Sequence, residues 1–442
     1  MKKHYFLQFK IMGILCLILL ATCPAFAQWE LAKECKAAYA VYVTKNGNML
    51  MSDYLFDQTG GIYLSTDQGK TWEKTKIADH NYNTFIEAGD YVFAAGIGGC
   101  LARSADQGKT WELVYYTEPL KKYLSAESLD YDVVYAITYH NGKLFVGDFI
   151  GGGILYSEDF GETWTLTKRD NLMLVYEDKE TGKSEKYMDN FYNLVSFDGK
   201  LLAFGMINVY LYDEKTNDWT ITRYDSNVMA VSTVFKDKLY CGRSIMNETD
   251  KVPFIERTAD GLNWEGVNRP EGQLDNNIRA LASDENNIYA GLQTRGIYYS
   301  SNEGKSWVNI SKGLPYFMEQ VPDQFLSPLK FAVDKDYVYV IIYDVPFSDR
   351  NESGLYRYAK NALPTGIEDL VNYDETQLYA NNTHLYAVNG SISEVKVFTI
   401  DGKSYNVNLI DGKADILYFP AGCYLYEAVV GQKQFTGKFI KR

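Results

Sequence analysis

Short runs of alternating apolar and polar residues, each followed by a cluster of turn-forming residues, recur along most of the chain. The stretch NIRALASDENNIYAGLQTRGIYYSSNEGKSWVNI (277–310) shows the pattern most clearly, with apolar runs divided by DENN, TRG and NEGKS. Alternation with period two in segments rich in Val, Ile, Tyr and Thr predicts half-buried β-strands. The unit therefore predicts four short antiparallel strands. Similar units begin near Ala38, Thr84, Asp132, Asn190 and Val228.

The last turn of most units carries one motif. STDQGKTW at 65–72 is followed by SADQGKTW at 104–111 and SEDFGETW at 157–164. Weaker copies are SSNEGKSW at 300–307, TADGLNW at 258–264 and DEKTNDW at 213–219. Glycine permits the positive φ of a hairpin turn, and an Asp carboxylate accepts backbone N–H groups across it. The motif therefore predicts a turn rather than a reaction centre. The residues with this structural role are Ser65, Asp67, Gly69, Thr71, Trp72, Ser104, Asp106, Gly108, Thr110, Trp111, Ser157, Asp159, Gly161, Thr163, Trp164, Asn302, Gly304 and Trp307.

The tryptophan that ends each copy recurs every 39 to 55 residues, at Trp72, Trp111, Trp164, Trp219, Trp264 and Trp307. Repeats of about 40–50 residues with four strands each are typical of β-propeller blades. A further unit at 329–359 has three predicted strands and no motif. We therefore predict an all-β chain with a seven-bladed β-propeller in residues 28–362, or six blades as the alternative. Its blades should begin at about residue 36, and the tryptophans of the three full copies should be largely buried.

The three full copies resemble the Asp-box repeat of bacterial neuraminidases, S-x-D-x-G-x-T-W. The resemblance implies that each copy joins the third and fourth strands of a blade at the outer rim. It also implies that the box itself carries no catalysis.

After the linker LPTGIEDL at 363–370, residues 371–442 return to alternation, with a DG hairpin turn at Asp401–Gly402. This pattern predicts a small β-sandwich. The order VKVFTIDGK, PAGCYLY and KFIKR resembles the C-terminal sorting domain of type nine secretion in Bacteroidetes. The resemblance implies that the segment engages the secretion machinery and directs passage across the outer membrane, where it can be cut off. An ordinary adhesive sandwich is the alternative.

The first 27 residues differ from the rest of the chain. Three lysines precede and flank the apolar run IMGILCLILL at 11–20, and AFA at 25–27 fits a cleavage site. This order predicts a secretory signal peptide over residues 1–27, and hence a secreted or outer-membrane surface protein. A lipoprotein signal with Cys23 as the lipidated residue is the alternative. No later stretch is apolar enough to span a membrane.

Composition narrows the class of partner. Hydrophobic residues make up 46% and aromatic residues 15% of the chain, which argues against disorder. Without the three lysines of the signal, 41 basic and 57 acidic residues give a net charge of −16. Such a chain is a poor partner for nucleic acid or anionic lipid. The remaining cysteines and histidines are scattered and predict no disulfide framework, metal site or cofactor.

The likeness to neuraminidases raises the question of catalysis. A sialidase of that family uses an arginine triad for the substrate carboxylate, and its first arginine normally lies in an R-I-P motif before the first box. This chain has no R-I-P, and its first arginine, Arg103, lies beside the second box. Lysine cannot replace the bidentate geometry of arginine on a carboxylate. We therefore expect no active sialidase and assign no catalytic residue.

Segments that lead into the innermost strands of a propeller surround one mouth of its channel. Here they read DHNYN, LDYD, MDNFYN, YDSN, LDNN and VPDQ, each with Asp beside an amide or an aromatic residue. Asp and Asn are also common in turns, where they cap backbone groups. The candidate ligand-binding residues are Asn83, Asp132, Asp189, Asp225, Asp275, Tyr82, Tyr131 and Tyr192.

We expect these side chains to converge and to bind a glycan or an extracellular protein without catalysis. A ring of carboxylates creates a negative field, which disfavours an anionic ligand and favours a neutral glycan or a cation. The alternative function is a glycoside hydrolase that uses two carboxylates of the ring, one of them with a strongly raised pKa.

Overall fold

The computed structural model describes residues 28–53, 60–77, 80–130, 133–177, 182–224, 228–244, 254–268, 277–317, 324–343, 352–364, 377–380, 384–388, 391–399, 402–431 and 433–441. The chain divides into two compact units, Met1–Leu363 and Pro364–Arg442. The predicted signal peptide and most of the predicted linker lie outside the described residues. Within the described ranges, no helix is long and apolar enough to cross a membrane.

Four-stranded antiparallel sheets make up the first unit. Its described residues contain seven of them, numbered here as sheets 1 to 7 in chain order. Sheet 1 contains β2 (Ala38–Val43), β3 (Met49–Asp53), β4 (Ile62–Ser65) and β5 (Glu73–Lys74). Sheet 2 contains β6 (Tyr82–Ala88), β7 (Tyr91–Gly96), β8 (Cys100–Ser104) and β9 (Glu112–Tyr115). Sheet 3 contains β10 (Val134–His140), β11 (Lys143–Asp148), β12 (Ile154–Ser157) and β13 (Thr165–Leu166).

The next three sheets follow the same plan. Sheet 4 contains β16 (Phe191–Phe197), β17 (Lys200–Gly205), β18 (Asn208–Asp213) and β19 (Asp218–Tyr224). Sheet 5 contains β20 (Val228–Phe235), β21 (Lys238–Ser244), β22 (Ile255–Thr258) and β23 (Glu265–Gly266). Sheet 6 contains β24 (Ile278–Ser283), β25 (Ile288–Leu292), β26 (Gly296–Ser300) and β27 (Val308–Asn309).

Short elements connect the sheets. A separate hairpin, β14 (Met173–Glu177) and β15 (Ser184–Met188), precedes sheet 4. One α-helix spans Ala126–Asp130. Three 3-10 turns span Glu118–Leu120, Asp170–Leu172 and Lys360–Ala362.

Sheet 7 joins the two ends of the propeller sequence. Its first three strands are β28 (Ser327–Val333), β29 (Tyr337–Tyr343) and β30 (Gly354–Ala359), and its fourth is β1 (Glu30–Glu34), antiparallel to β30. The expectation that the blades begin at about residue 36 is therefore wrong, because the last sheet takes its outer strand from the N-terminal end. Trp29, just before β1, is 2% exposed and anchors this closure.

Seven apolar clusters fill the spaces between neighbouring sheets. One joins sheets 1 and 2, for example, through Leu50 and Phe85, and another joins sheets 7 and 1 through Tyr339 and Ala38. The other five join the remaining pairs in order. The first strand of each sheet contacts the first strand of the next, including β28 with β2. The sheets thus close into a ring, which supports the predicted count of seven blades.

Each full copy of the motif forms the turn between the third and fourth strands. In the first copy, Ser65 Oγ donates to Asp67 Oδ1 (2.8 Å) and accepts from Gly69 N (2.9 Å). Asp67 also accepts from Thr71 N (2.9 Å) and Thr71 Oγ1 (2.6 Å). Trp72 Nε1 donates to Gly69 O at 2.9 Å. The residues that recur in each copy are therefore those that form hydrogen bonds with one another inside the turn.

The copies at 104–111 and 157–164 form the same set of hydrogen bonds. In the copy at 258–264, which is one residue shorter, Asn263 takes the place of the threonine and donates to Asp260. The segment at 213–219 forms a different turn, and its Trp219 is fully buried with Nε1 on Thr167 Oγ1 at 2.9 Å.

The tryptophans of the three full copies were expected to be largely buried, and each packs against the core between two sheets. Trp72, Trp111 and Trp164 are half-buried, because each lies over its own turn at the outer part of the sheet. Trp219 is instead the buried one.

The second unit contains two four-stranded sheets. One has the order β31 (Gln377–Ala380), β32 (His384–Val388), β36 (Lys413–Asp415) and β35 (Asn408–Ile410). The other has the order β34 (Ser404–Tyr405), β33 (Ile392–Thr399), β37 (Gly422–Val430) and β38 (Lys433–Lys441). Side chains of both sheets, such as Leu385 and Tyr424, share one apolar core. The unit is therefore a small β-sandwich.

Candidate functional site

The innermost strand of every sheet in the first unit begins with the same irregularity. In β2, β6, β10, β16, β20 and β24 the register shifts between the first residue pair and the second, and in β28 it shifts between the second pair and the third. Such β-bulges leave residues unpaired and change the direction of side chains. The bulged residues are Tyr39, Asn83, Tyr135, Tyr192, Met229 with Ala230, Arg279 and Leu329. We call this set the bulge ring, because equivalent positions in successive sheets surround the axis.

The bulge ring contains two of the candidates named from the sequence, Asn83 and Tyr192. Tyr82, which precedes the bulge of sheet 2, is 1% exposed and belongs to the core between sheets 1 and 2. A ring with so little exposed surface cannot stack on a ligand. Four further candidates lie outside the described residues; these are Tyr131, Asp132, Asp225 and Asp275.

Asp189 is fully buried and serves the fold. Its Oδ1 accepts from Asn190 N (2.9 Å) and Met206 N (2.8 Å). Its Oδ2 accepts from Tyr210 OH at 2.8 Å and, more weakly, from Asn208 N at 3.4 Å. Burial raises the pKa of Asp189, although these bonds act in the opposite direction. With its oxygens occupied, the carboxylate holds the strand connections of sheet 4, and the geometry gives it no ligand-binding role.

Asn83 is only 1% exposed, yet its Oδ1 and Nδ2 have no hydrogen-bond partner among the described residues. Leaving a buried amide unpaired costs about 1–3 kcal/mol, so native proteins rarely do so without a reason. Among the described candidates, this is the side chain whose polar atoms the fold does not use.

An aromatic cluster connects the bulges of sheets 3 and 4. The ring centroids of Tyr135 and Phe149 are 5.1 Å apart, and those of Phe149 and Tyr192 are also 5.1 Å apart, both edge-to-face. Tyr135 is 36% exposed, while Tyr192 is half-buried. Sequence reasoning missed Tyr135 and Phe149. The recurrence of Tyr as the second residue of the innermost strand, at Tyr39, Tyr135 and Tyr192, was the available signal.

Three basic side chains belong to the same end of sheets 6 and 7, and sequence reasoning missed them too. Arg279 is the exposed bulge residue of β24, and Lys330 is half-buried directly after the bulge of β28. Arg295 lies in the turn after β25, and its buried Nε has no hydrogen-bond partner. We call these three residues the cation group. The expected negative field at the mouth stays a prediction, because the one candidate carboxylate that the structure describes is buried and the other three lie outside the described residues.

The opposite ends of the innermost strands carry polar links between sheets. Tyr42 OH donates to Glu87 Oε2 at 3.2 Å. Thr233 Oγ1 and Ser283 Oγ share a hydrogen bond of 2.7 Å. His140 Nδ1 lies 2.8 Å from Ser196 Oγ in the same kind of position. Burial lowers the pKa of His140. Because the pair repeats a link found between other sheets, we read it as structural rather than as a catalytic dyad.

The part of the chain that the structure describes contains no group of three or more His, Cys, Asp or Glu side chains able to hold a metal ion. Cys100 and Cys241 are buried and Cys35 and Cys423 half-buried, all as free thiols. Burial raises the pKa of the Cys100 thiol to about 11, which keeps it protonated and unreactive.

Comparisons with known proteins agree with this architecture. Residues 63–74 match the model of the BNR/Asp-box repeat. No curated protein sequence matches the chain. The fold is similar to a crystal structure described as the extracellular domain of the hybrid two component system BT4673 from B. thetaiotaomicron, with a TM-score of 0.50 and 10% identity. The alignment covers 83% of this chain but only 44% of that one.

A second similar structure is YCF48 bound to D1 peptide, with a TM-score of 0.50 and 14% identity. The alignment covers 76% of this chain and 97% of that chain. At these identities the likeness concerns the fold alone. The repeat match identifies an Asp-box in sheet 1, and the likeness to these structures agrees with a β-propeller fold of the first unit.

Proposed function

We propose that this protein is an exported, non-catalytic binding propeller that holds a glycan or an extracellular protein at the bulge ring. The observation that carries the proposal is the aromatic cluster of Tyr135, Phe149 and Tyr192, which spans two sheets at the channel mouth. Aromatic side chains that reach the solvent, as Tyr135 does at 36% exposure, are typical of binding sites. The two similar structures, an extracellular domain and a peptide-bound propeller, are compatible with such a role.

A glycoside hydrolase is the less favoured function. It needs two carboxylates that reach the substrate, one of them with a raised pKa. Asp189 has a raised pKa, but it is fully buried and its oxygens accept internal hydrogen bonds. A chromogenic glycoside panel tests this alternative directly, since hydrolysis would exclude a purely binding role.

The binding role is tested by screening the mature protein on a glycan array and a panel of surface proteins. Tyr135→Ala should weaken binding of the best ligand by about tenfold, as expected for loss of an aromatic contact. Tyr115→Ala is the matched control, because Tyr115 is 62% exposed on the outer strand β9 of sheet 2. Equal loss in both variants, or none in Tyr135→Ala, would contradict a site at the bulge ring.

Export is the second part of the proposal. Residues 1–27 act as a cleaved signal peptide, and residues 371–442 act as a sorting domain for the outer membrane. The support for sorting is the order of motifs in the C-terminal sequence together with the compact, separate β-sandwich. A chain without residues 365–442 should accumulate in the periplasm instead of reaching the surface. Normal surface delivery of that chain would assign the sandwich another role.

A further inference from the structure

Arg169 is held in one orientation at the end of the propeller that carries the bulge ring. It follows β13 and precedes the 3-10 turn Asp170–Leu172, in the connection that leads to the start of β16. Its Cζ lies 3.8 Å from the ring centroid of Tyr123, and its Nη2 donates to Gly151 O at 2.9 Å. The stacked ring and the hydrogen bond together fix the plane of the guanidinium.

The guanidinium of Arg169 lacks a counter-charge in the described part of the chain. Several other arginines pair with carboxylates, as Arg103 does with Glu112 at 2.6 Å, but no described carboxylate lies within ion-pair distance of Arg169. Asp148, which borders the loop that Arg169 contacts, accepts through Oδ1 from two backbone N–H groups of that loop, at 2.7 and 2.8 Å. Arg169 Nε is buried without a hydrogen-bond partner, and Nη1 bonds to no described residue. The fold therefore leaves the charge and the Nη1 donor of this side chain to a ligand.

A short loop joins this arginine to the aromatic cluster. Phe149 of the cluster begins the loop between β11 and β12, and Gly151, two residues later, supplies the carbonyl that Arg169 binds. Two residues span at most about 7 Å, so the guanidinium and the cluster are neighbours on the same surface. A Cβ on Gly151 would lie 3.7 Å from Met188 Cβ, so the hairpin β14–β15 also packs on this loop.

We propose that Arg169 binds the carboxylate of a uronic acid, in an oligosaccharide whose neighbouring sugar ring lies on the aromatic cluster. The inference rests on the proposed binding role of the bulge ring and names the class of its ligand. Arginine offers a planar fork of donors that fits a carboxylate, and the stack on Tyr123 holds that fork in place before the ligand arrives. In a half-buried position such a contact is stronger than on an open surface.

The surroundings favour a sugar over a peptide. The connections on either side of the loop carry three tyrosines that are between 41% and 59% exposed, namely Tyr123, Tyr176 and Tyr187. A tyrosine offers a flat apolar face and a hydroxyl group, which match the C–H face and the hydroxyl groups of a sugar ring. A docked peptide needs an apolar pocket for its anchoring side chains, whereas Val175 is the one exposed large aliphatic residue in the described parts of these connections.

This ligand differs from the neutral glycan that the predicted ring of carboxylates favours. The difference arises because Arg169 places an uncompensated positive charge beside the aromatic cluster. A charge that is partly removed from water is more stable when it is paired and hydrogen-bonded. A bound carboxylate supplies that pairing.

The test uses isothermal titration calorimetry of the mature protein with two probes, trigalacturonate and a xylotriose that carries one glucuronate. The wild type should bind at least one probe about tenfold more tightly than the same probe after reduction of its carboxylates to alcohols, the usual effect of a charge-assisted hydrogen bond. Arg169→Gln should remove this difference and leave the affinity for the reduced probe nearly unchanged. Lys168→Gln is the matched control, because it removes one positive charge from the preceding residue, whose side chain is 57% exposed. It should change the affinity by less than about twofold at physiological salt.

Several outcomes would overturn the inference. They are equal affinity of the wild type for the two forms of each probe, no binding of either probe, an unchanged affinity in Arg169→Gln, or an equal loss in Lys168→Gln. Tighter binding of a glutamate-containing tripeptide than of both probes would assign Arg169 to a peptide instead. Thermal melts identify variants that fail to fold, and the comparison of the two forms of each probe on the wild type then decides the case. If a ligand from the screens still binds Arg169→Gln but not Tyr135→Ala, the proposed function stands and this inference fails.

Discussion

Trp29 is buried next to the strand that closes the propeller ring, so Trp29→Ala tests how much this side chain stabilises the closure. Trp29 is 2% exposed and packs edge-to-face on Tyr358, with ring centroids 5.4 Å apart. Its backbone N donates to Lys312 O at 2.8 Å, a bond that the substitution leaves in place. Removing such a buried ring costs about 3–5 kcal/mol through lost burial and the cavity that remains.

The expected shift in melting temperature follows from the size of the unit. At about 2.1 cal/mol/K per residue, a propeller of roughly 335 residues has an unfolding entropy of about 0.7 kcal/mol/K. A loss of about 3–5 kcal/mol therefore lowers the Tm of the propeller transition by about 4–7 °C. Differential scanning calorimetry of the mature protein measures this shift.

The control, Leu31, lies two residues after Trp29, within β1. Leu31 is 50% exposed, so Leu31→Ala should cost less than about 1 kcal/mol and leave the transition nearly unchanged. An unchanged Tm in Trp29→Ala would show that β1 does not hold the ring closed. A large decrease in Tm for Leu31→Ala would instead indicate that the pairing of β1 with β30 provides the stabilisation.

Two further substitutions test the electrostatics of the propeller. Hydrogen bonds within its turn, chiefly from Thr71, lower the pKa of Asp67 from 3.8 to about 2. The ionised carboxylate therefore stabilises the fold above the unfolded pKa, and this contribution disappears as the pH falls through the folded pKa. Asp67→Asn should lower the Tm at neutral pH and match the wild type in strong acid; an equal deficit at both pH values would refute the charge argument. Glu256→Gln should cost about 3–5 kcal/mol in chemical denaturation, because it removes the charge of the carboxylate that pairs with the fully buried Arg243; a neutral effect would show that this ion pair adds no net stability.

Much of the fold could be predicted from the sequence because its signals are local. The alternation that marks β24 to β27 and the letters of the box at 65–72 act within one hairpin, so they can be recognised without knowledge of distant contacts. The degree of burial of Trp72 is not given by such a local signal. A motif determines the turn, whereas burial depends on how far from the axis the turn lies.

The residues of the candidate site were harder to predict, because strand register and β-bulges decide which way their side chains face. Asp189 fits the predicted position, but the strand geometry turns its carboxylate toward Met206 N and Tyr210 OH. Lys330 carries no local signal, since its position on the strand depends on the bulge before it. A sequence indicates which residues enter a strand, while a one-residue bulge decides which way each side chain faces.

The missing box of the last unit has a topological cause. A box closes the hairpin between the third and fourth strands of a sheet, as between β4 and β5. In sheet 7 the third strand is β30 and the fourth is β1. These two strands are far apart in the sequence: Arg357 of β30 and its partner Glu30 of β1 are separated by 327 positions. No hairpin joins them, so no turn motif is needed there. Sheet 7, which lacks the motif, is thus the sheet that closes the ring. Its stability must come from Trp29 and from the pairing of β1 with β30 rather than from a box.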